Sequence, residues 1–475
     1  FPGDPTTPGI PSLTSLPEQK RVPPEQSAEM PRVPTTPLAY SDAAPILQNL
    51  GGPDSPREWQ GALPFTYHVG PGPVRVKMHL KQNYGYHTIW DVIGTVAGSE
   101  SPEQWVVSGN HRDAWVYGAV DPNSGTTAQL EAVRGIGSLL KSGWRPRRTL
   151  VFASWDAEEF GLIGSTEWGE EHQQELANAA VYFNMDVGVA GPNFGASAVP
   201  SLKQFIRDVS KSVPSPKGGT VYEAWQKEQK KQPPTRGVVP ELNASQAREP
   251  KAKLTSDVPV GDLGSGSDYT VFLQHLGVPS SDIGSRGPYG VYHSAFDDFE
   301  WFKKFGDPTF VYEQQMARVY GVQAIRMASA DVLPFDYEEY GKEINAYLVT
   351  AQKKAQARFG EKAPDFTAAQ KAAGDLTAAG AGVAKVQMTA SGEAAERLNR
   401  VLIRAERGFL TNGLPKRTWY KHAIYAPGEY TGYEAVVIPG VNEALDKGDL
   451  AGTVQQIAEV TAAIERVATI LESYR

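Results

Sequence analysis

The sequence contains no cysteine among its 475 residues, and only eight residues are histidine. The absence of cysteine excludes disulfides, thiolate zinc sites and cysteine nucleophiles, so any transition metal must be bound by histidine and carboxylate. No apolar run approaches the ~20 residues of a membrane span. Basic character is also missing. The 46 Lys and Arg residues against 54 Asp and Glu give a net charge of −8, which argues against nucleic acid as the main partner and suits cation binding.

The length predicts about three domains. Residues 1–62 carry proline at short intervals, which prevents regular helix, and we interpret them as the remnant of a domain whose body lies elsewhere; a disordered linker is the alternative. After residue 332 the strand signals fade, and Ala-rich, charge-interleaved stretches over 333–475 predict a helical bundle. The chain opens FPGDPTTPGIPS, with no initiator methionine, so we expect that an upstream portion is missing.

The region 63–332 alternates short apolar runs with helical patterns, as βαβ units do, and this predicts an α/β fold. Strands are predicted at 105–109, 149–155 and 180–186. A crossover helix is predicted between the first two, with Asn123 and Ser124 as candidate N-caps and Gly143 at its end. Three further segments are predicted by composition: a surface excursion at 212–262, a helix at 267–277, and a helix break at AAGAGVA, 378–384.

Acidic and imidazole side chains follow all three predicted strands. The first strand leads into His111, Asp113 and Asp121, the second into Glu158 and Glu159, and the third into Asp186. Because the carboxyl ends of parallel strands meet at one edge of a sheet, we expect these side chains to lie close together. The carboxylates would repel one another unless a cation lay among them. Histidine combined with carboxylate suits zinc, manganese or cobalt better than calcium, which avoids nitrogen, and we expect zinc.

The adjacent glutamates Glu158 and Glu159 have a further implication. Neighbouring side chains diverge, so one can bind a metal while the other acts as a general base. Adjacent glutamates are also common on solvated surfaces, and the pair alone carries little weight. Its position beside a histidine and other strand-end acids favours the functional interpretation.

Longer motifs point to a known family. The segments NHRDAWVYGAVDPNSG, GWRPRRTLVFASWDAEEFGLIGSTEW, LGSGSDY and YGVYHS, followed by LPFD and KHAIYAPG, resemble glutamate carboxypeptidase II and its relatives over nearly the whole chain. The resemblance implies a di-zinc peptidase domain over 63–332, with a mixed, largely parallel sheet flanked by helices. It also implies that 1–62 is the C-terminal remnant of a protease-associated domain, and that 333–475 is a helical domain through which the protein forms a homodimer.

The resemblance assigns a role to each residue at the strand ends. His111 and Asp186 bind one zinc ion, Glu159 and His293 bind the other, and Asp121 bridges them. Glu158 is the general base that takes the proton of the attacking water, and Asp113 orients the first histidine. His293 comes from the resemblance alone, because a single histidine in GVYHSAF is more often structural.

The resemblance also implies one structural calcium ion. Its ligands are the carboxylates of Glu167 and Glu170 and oxygens of Thr7 and Ile10 in the TTPGI turn. A spacing of three places both carboxylates on one helix face, and oxygen ligands suit calcium. Two glutamates on a helix face are otherwise usually just solvated.

The substrate pocket departs from the glutamate-specific pattern. The Lys-Tyr pair of the family is Gly432-Tyr433 here, and two arginine positions fall near Asp282 and Gly284, with Arg286 displaced. Carboxylate pockets normally use Arg or Lys for bidentate recognition, so a preference for C-terminal glutamate is weakened. A less basic pocket also fits a free amino terminus, and an aminopeptidase using the same zinc centre is the alternative.

Other parts of the pocket are retained. The segment Ser265-Gly266-Ser267 matches the substrate-contacting LGSGND segment of the family with serine in place of asparagine, and Tyr292 and Tyr433 could bind a terminal carboxylate. A more remote alternative is a non-catalytic, transferrin receptor-like binding protein. That branch lacks the metal ligands, whereas all the metal and base positions are present here.

The resemblance sets further expectations. It predicts an extracytosolic protein that acts on peptides, and its missing protease-associated portion could be a separate N-terminal fragment of the same precursor. The sequon Asn243-Ala244-Ser245 predicts a glycan within 212–262.

Overall fold

The computed structural model describes residues 2–17, 20–83, 85–231, 257–430 and 432–474. The predicted glycan site at Asn243 therefore lies outside the described residues. These residues fall into two compact units. The larger lies within Phe1–Val22, Ile89–Thr235 and Lys253–Arg475, and the described residues of the smaller lie within Pro23–Thr88.

The regular elements are as follows. The strands are β1 (Gly51–Asp54), β2 (His68–Gly70), β3 (Val92–Val96), β4 (Ser101–His111), β5 (Arg148–Trp155), β6 (Val181–Asn184), β7 (Asn193–Ala198), β8 (Ser280–Arg286), β9 (Tyr425–Pro427) and β10 (Ala435–Val437). The helices are α1 (Tyr40–Leu47), α2 (Asn123–Lys141), α3 (Ile163–Glu171), α4 (Gln173–Leu176), α5 (Pro200–Ser212), α6 (Val221–Lys231), α7 (Phe299–Trp301), α8 (Val311–Ser329), α9 (Tyr337–Phe359), α10 (Thr367–Gln387), α11 (Gly392–Arg407), α12 (Pro439–Lys447) and α13 (Leu450–Glu472). None of the described helices is both long enough and apolar enough to cross a membrane.

A six-stranded sheet forms the centre of the larger unit, in the order β3-β5-β4-β6-β8-β7. The four inner strands run parallel, and the two edge strands are antiparallel to their neighbours. His111 on β4 pairs with Trp155 on β5, so these strands end level with each other. The predicted mixed, largely parallel sheet flanked by helices is confirmed.

Helices α2 and α8 cover one face of this sheet. The buried face of α2 contains the predicted apolar positions Ala128, Ala132 and Ile136. A buried polar link fixes both helices to the strands: the Tyr320 hydroxyl on α8 contacts Gln129 on α2 at 3.0 Å, and the Gln129 amide donates to the carbonyl of Ala153 on β5 at 2.9 Å. Because buried polar groups cost free energy unless they are bonded, these contacts fix the register of α2 on the sheet.

The C-terminal region is helical, as predicted, but the expected helix break at 378–384 is wrong. This segment lies inside α10. A Cβ on Gly380 would lie 2.3 Å from the backbone nitrogen of Glu338 on α9, and one on Gly341 would lie 2.6 Å from the backbone nitrogen of Thr377. The glycines therefore permit close helix packing, which outweighs their low helix propensity.

Other local predictions also need correction. The proline-rich region contains an α-helix, α1, which accommodates Pro45, and a short 3-10 helix at Arg57–Trp59. The crossover helix begins at Asn123 itself, and its N-cap residue is Pro122, which makes no side-chain capping bond. The described part of the predicted surface excursion at 212–262 contains a regular helix, α6, and residues 232–256 lie outside the described residues. The predicted helix at 267–277 contains a wider π-helical turn over Val271–His275. Strand β6 ends at Asn184, earlier than predicted.

Candidate metal centre

The candidate centre lies at the carboxyl edge of the four parallel strands. His111 is the last residue of β4, Asp186 follows the end of β6 by two residues, and Glu158 and Glu159 occupy the turn after β5. His293 follows β8, the fourth parallel strand. The sequence predicts the first three of these strand ends from their patterns, while β8 and its histidine become apparent only from the sheet order.

One group of ligand atoms surrounds His111. Its Nε2 atom lies 2.9 Å from an oxygen of Asp186, 3.4 Å from Asp121 Oδ1 and 3.9 Å from an oxygen of Glu158. One ligand atom each from His111, Glu158 and Asp186 lie within 4.8 Å of one another. Such a cluster has the size and composition of a metal site.

A second group surrounds His293. Its Nε2 atom lies 3.1 Å from Asp121 Oδ2 and 3.1 Å from an oxygen of Glu159. Ligand atoms of these three residues also lie within 4.8 Å of one another. Asp121 joins the two groups, since its Oδ1 faces His111 and its Oδ2 faces His293.

The side chain of Asp113 organises the base of this arrangement. Its carboxylate accepts the backbone N–H groups of Glu158 at 2.9 Å and Glu159 at 3.2 Å. Its backbone carbonyl lies 3.0 Å from Nδ1 of His111, and its Oδ1 lies 3.5 Å from the same nitrogen. Contacts at Nδ1 leave Nε2 of the buried imidazole directed at the other carboxylates, as second-sphere carboxylates do at metal sites.

The sequence alone does not indicate the positioning role of Asp297. Its carboxylate accepts the backbone N–H groups of Val120 at 2.8 Å and Asp121 at 3.1 Å, and the Tyr289 hydroxyl at 2.6 Å. The residue thus fixes the loop that presents Asp121. Its place four residues after His293 was the only available signal, because an acid in a polar loop is unremarkable by itself.

The electrostatics of the cluster reflect crowding of like charges. Burial raises the pKa of Glu158 well above its usual range, and the carboxylates of Asp186 and Glu159 add to that rise, while His111 opposes it. Burial disfavours a charged His293, but its contacts with Asp121 and Glu159 outweigh this and raise its pKa to about 9. The His111 pKa is likewise raised well above its usual value, because the charges of Asp186 and Glu158 outweigh burial. The cluster therefore favours the binding of protons or cations.

The donor set and one unpaired atom fit a metal. Both groups combine imidazole nitrogen with carboxylate oxygen, the ligands that zinc accepts when cysteine is absent. Glu159 Oε1 is buried and has no hydrogen-bond partner among the described residues, although its other oxygen contacts His293. A buried carboxylate oxygen without a partner is costly, and a bound cation would remove that cost.

Comparison with known proteins identifies two family models that match parts of this chain. Residues 91–305 match the model of Peptidase family M28, and residues 349–472 match the Transferrin receptor-like dimerisation domain. Residues 91–305 belong to peptidase family M28. The predicted resemblance to glutamate carboxypeptidase II and its relatives is confirmed by both matches and by similar proteins along nearly the whole chain.

The relatives of this protein are named either as carboxypeptidases or as aminopeptidases. It is 36% identical to "Probable glutamate carboxypeptidase LAMP1" of Arabidopsis thaliana, over 99% of this chain and 66% of the relative. It is 33% identical to "Aminopeptidase NAALADL1" of Mus musculus, over 99% of this chain and 64% of the relative. The chain thus spans less than two thirds of the length of these relatives.

Solved structures also resemble about half of this protein. A zinc aminopeptidase from Bacillus subtilis, BSAP, is 20% identical, covering 50% of this chain and 49% of its own, with a TM-score of 0.34. A Peptidase M28 precursor from Shewanella amazonensis is 24% identical, covering 51% and 46%, with a TM-score of 0.35. At these scores the similarity supports no inference about the site.

The predicted substrate residues lie at different depths around the candidate metal centre. The Tyr292 ring stacks on His293 with centroids 3.6 Å apart. Burial raises the pKa of Tyr292, and the neighbouring Tyr433 adds to that rise. The Tyr433 carbonyl accepts the N–H of Ser265 at 3.3 Å, and its ring lies against Gly266. These contacts place both tyrosines and the 265–266 backbone beside the second group of ligands.

Residues Ser267 and Asp282 lie deeper. The buried Ser267 hydroxyl accepts a hydrogen bond from the Asn184 side chain at 3.0 Å, and the same amide donates to Asp282 at 2.9 Å. Burial raises the pKa of Asp282 to about 7. The Ser267 hydroxyl and the Asp282 carboxylate are therefore both bonded to Asn184 within the protein.

The predicted calcium ligands lie along α3 and the N-terminal segment. Glu167 accepts the backbone N–H groups of Asp4 and Ser12 at 2.6 and 2.5 Å, which ties the segment to the helix. Glu170 accepts the Trp419 indole at 2.8 Å, and its other oxygen is buried without a hydrogen-bond partner among the described residues. Burial raises the pKa of Glu167 to about 8 and that of Glu170 to about 7.

The other two predicted calcium ligands differ in environment. Thr7 is buried, and its hydroxyl oxygen has no hydrogen-bond partner among the described residues. Ile10 has an exposed side chain, and its N–H donates to the Thr7 carbonyl at 3.1 Å. Both glutamates are buried rather than solvated, which is unlike the ordinary exposed pair.

Proposed function

We propose that this protein is a zinc-dependent exopeptidase that hydrolyses peptide bonds with two zinc ions at the strand edge. The observation that carries the proposal is the pair of histidine–carboxylate groups joined by Asp121, whose two oxygens face His111 and His293. Membership of residues 91–305 in peptidase family M28 supports the same activity.

Each residue has a distinct part in this proposal. His111 and Asp186 would hold one zinc ion, Glu159 and His293 would hold the other, and Asp121 lies between the two groups. When bound, zinc supplies Lewis-acid chemistry that polarises the peptide carbonyl and eases the deprotonation of water. Asp113 keeps Nδ1 of His111 bonded, so that Nε2 stays free to bind metal.

Glu158 acts as the general base in this scheme. Its oxygen lies 3.9 Å from His111 Nε2, farther than the oxygens of Asp186 at 2.9 Å and Asp121 at 3.4 Å. The longer distance supports a proton-transfer role over a ligand role. Glu158 takes a proton from water at its carboxylate and delivers it to the leaving amine, and burial raises its pKa toward the range where such transfer is efficient.

Two specificities remain in competition, and both use the same centre. Carboxypeptidase action is supported by Tyr292 and Tyr433, because the Tyr292 ring stacks on the candidate ligand His293 and Tyr433 adjoins Tyr292. Aminopeptidase action is supported by Gly432, which stands where the glutamate-specific pattern has a lysine and leaves the pocket without that cation. Relatives bearing both names match at similar identity.

Two measurements test the proposal. Metal analysis of the purified protein should give about two zinc ions per chain, and a chain without zinc would overturn the two-metal assignment. A paired peptide panel then separates the specificities, one set blocked at the amino terminus and the other amidated at the carboxyl terminus. Cleavage of only the first set identifies a carboxypeptidase, and cleavage of only the second identifies an aminopeptidase.

We further propose one calcium ion held by Glu167 and Glu170 with oxygens of Thr7 and Ile10. The buried oxygens of Glu170 and Thr7, which have no hydrogen-bond partner in the described part of the chain, support it. Homodimer formation through the helical region is supported by the match to the Transferrin receptor-like dimerisation domain over 349–472. An extracytosolic location, a separate N-terminal fragment and the domain boundaries near 62 and 332 stay predictions.

A further inference from the structure

An exposed apolar surface lies beside the metal centre. Three consecutive residues after β4, Trp115, Val116 and Tyr117, are 50%, 50% and 65% exposed, and Phe160, directly after Glu159, is 69% exposed. Large apolar side chains grouped on a surface cost free energy in water and usually mark a binding site. The metal ligands do not account for this exposure.

Two of these side chains form an ordered pair. The Trp115 and Phe160 rings lie 5.4 Å apart at 50°, within the range of favourable aromatic contacts. Trp115 also contacts the ring of the candidate zinc ligand His293, with centroids 6.2 Å apart. The pair therefore borders the second group of ligands directly.

The backbone holds the two rings in place from separate strand ends. The loop that carries Trp115 is anchored farther along by Asp297, whose carbonyl and carboxylate accept the N–H groups of Ala119 and Val120. Phe160 follows Glu159, whose N–H is held by Asp113. Both rings are thus attached to the elements that fix the candidate metal ligands.

We propose that Trp115 and Phe160 form an apolar subsite that binds the large apolar or aromatic side chain of a peptide residue next to the scissile bond. The inference rests on the proposed peptidase function, since a substrate residue is the occupant that must approach these ligands during catalysis. Neither ring carries charge, so the subsite discriminates by burying apolar area rather than by ion pairing.

The test compares peptides that differ only by phenylalanine or alanine at a residue flanking the cleaved bond, with each flank varied in turn. Trp115→Ala and Phe160→Ala should raise KM for the phenylalanine peptide about tenfold, while kcat and the alanine peptide change less than about twofold. Trp115→Phe should restore much of the difference. Leu130→Ala, at a residue 65% exposed on α2, is the matched surface control.

The outcomes separate this inference from the proposed function. Wild-type protein that cleaves no peptide refutes the peptidase proposal and removes the subsite with it. A wild-type enzyme that cleaves both peptides equally, or variants with an unchanged KM ratio, refutes the subsite alone. Equal losses of kcat on both peptides, or a fall in zinc content, would show that Trp115 supports His293 instead and would also refute the subsite.

Discussion

Gly125 offers a sharp test of how packing under the metal centre controls its chemistry. A Cβ at this position of α2 would lie 2.3 Å from the Asp186 carbonyl oxygen, 2.4 Å from that of Met185 and 2.5 Å from the Asn110 amide. Those atoms are about 1 Å short of ordinary van der Waals contact, and two of them belong to the backbone. In Gly125→Ala the segment carrying Asp186 must move by a comparable distance.

A displacement of about 1 Å at reacting groups typically costs about 10²-fold in rate, or about 2.7 kcal/mol of transition-state stabilisation. We therefore expect Gly125→Ala to lower kcat/KM by about this factor and to weaken zinc retention, measured by peptide hydrolysis and metal analysis after dialysis. Asn110 adds to the effect, because its amide donates to the Met185 carbonyl at 2.8 Å and holds the same segment.

Gly135 on the same helix is the matched control. A Cβ there would meet no atom within 4 Å, so Gly135→Ala should stabilise α2 by about 0.5–1 kcal/mol and leave hydrolysis unchanged. Wild-type activity and zinc content in Gly125→Ala would refute the reasoning, since the backbone carrying Asp186 would then tolerate the shift.

Three further predictions follow from individual carboxylates. Glu158→Gln should keep its zinc and lose about 10²–10⁴-fold in kcat, and full turnover would exclude it as the base. Asp297→Ala should leave the N–H groups of Val120 and Asp121 unpaired, costing about 1–3 kcal/mol in unfolding free energy, measured by denaturant titration. Unfolded Glu313 ionises near 4.5, whereas burial raises its folded pKa to about 9, so stability is lost as the pH rises between these values. Glu313→Gln should flatten that decline, and parallel pH profiles for variant and wild type would contradict it.

Much of the candidate centre is predictable because its residues follow strands with clear apolar patterns. The run at 149–155 coincides with β5 apart from one residue, and Glu158 and Glu159 follow it at the expected edge. His111 and Asp113 are predictable for the same reason, since parallel strands deliver their carboxyl ends to one side of a sheet. Local sequence thus determines these positions.

The parts that escape prediction depend on contacts between distant segments. His293 follows a strand whose place beside β6 is set by pairing of Ser281 with Phe183, and it adopts a left-handed backbone conformation with φ of 54°. The sequence around Gly380 predicts a helix break, whereas in the structure this glycine allows the backbone of α9 to approach α10 closely. Neither fact is contained in the residues' own neighbourhoods.

The contacts of Asp113 also affect how the two loops at the site move. A single carboxylate holds the amides of Glu158 and Glu159, and the same residue contacts His111 through its carbonyl. The turn after β5 and the imidazole at the end of β4 therefore share one anchor. When either loop fluctuates, the other should be carried with it, so the distance between base and imidazole varies less than the position of either within the protein. Because His111 is a candidate zinc ligand, that distance would also set how far the base lies from a metal held by the imidazole, and its constancy is compatible with mobile loops around the site.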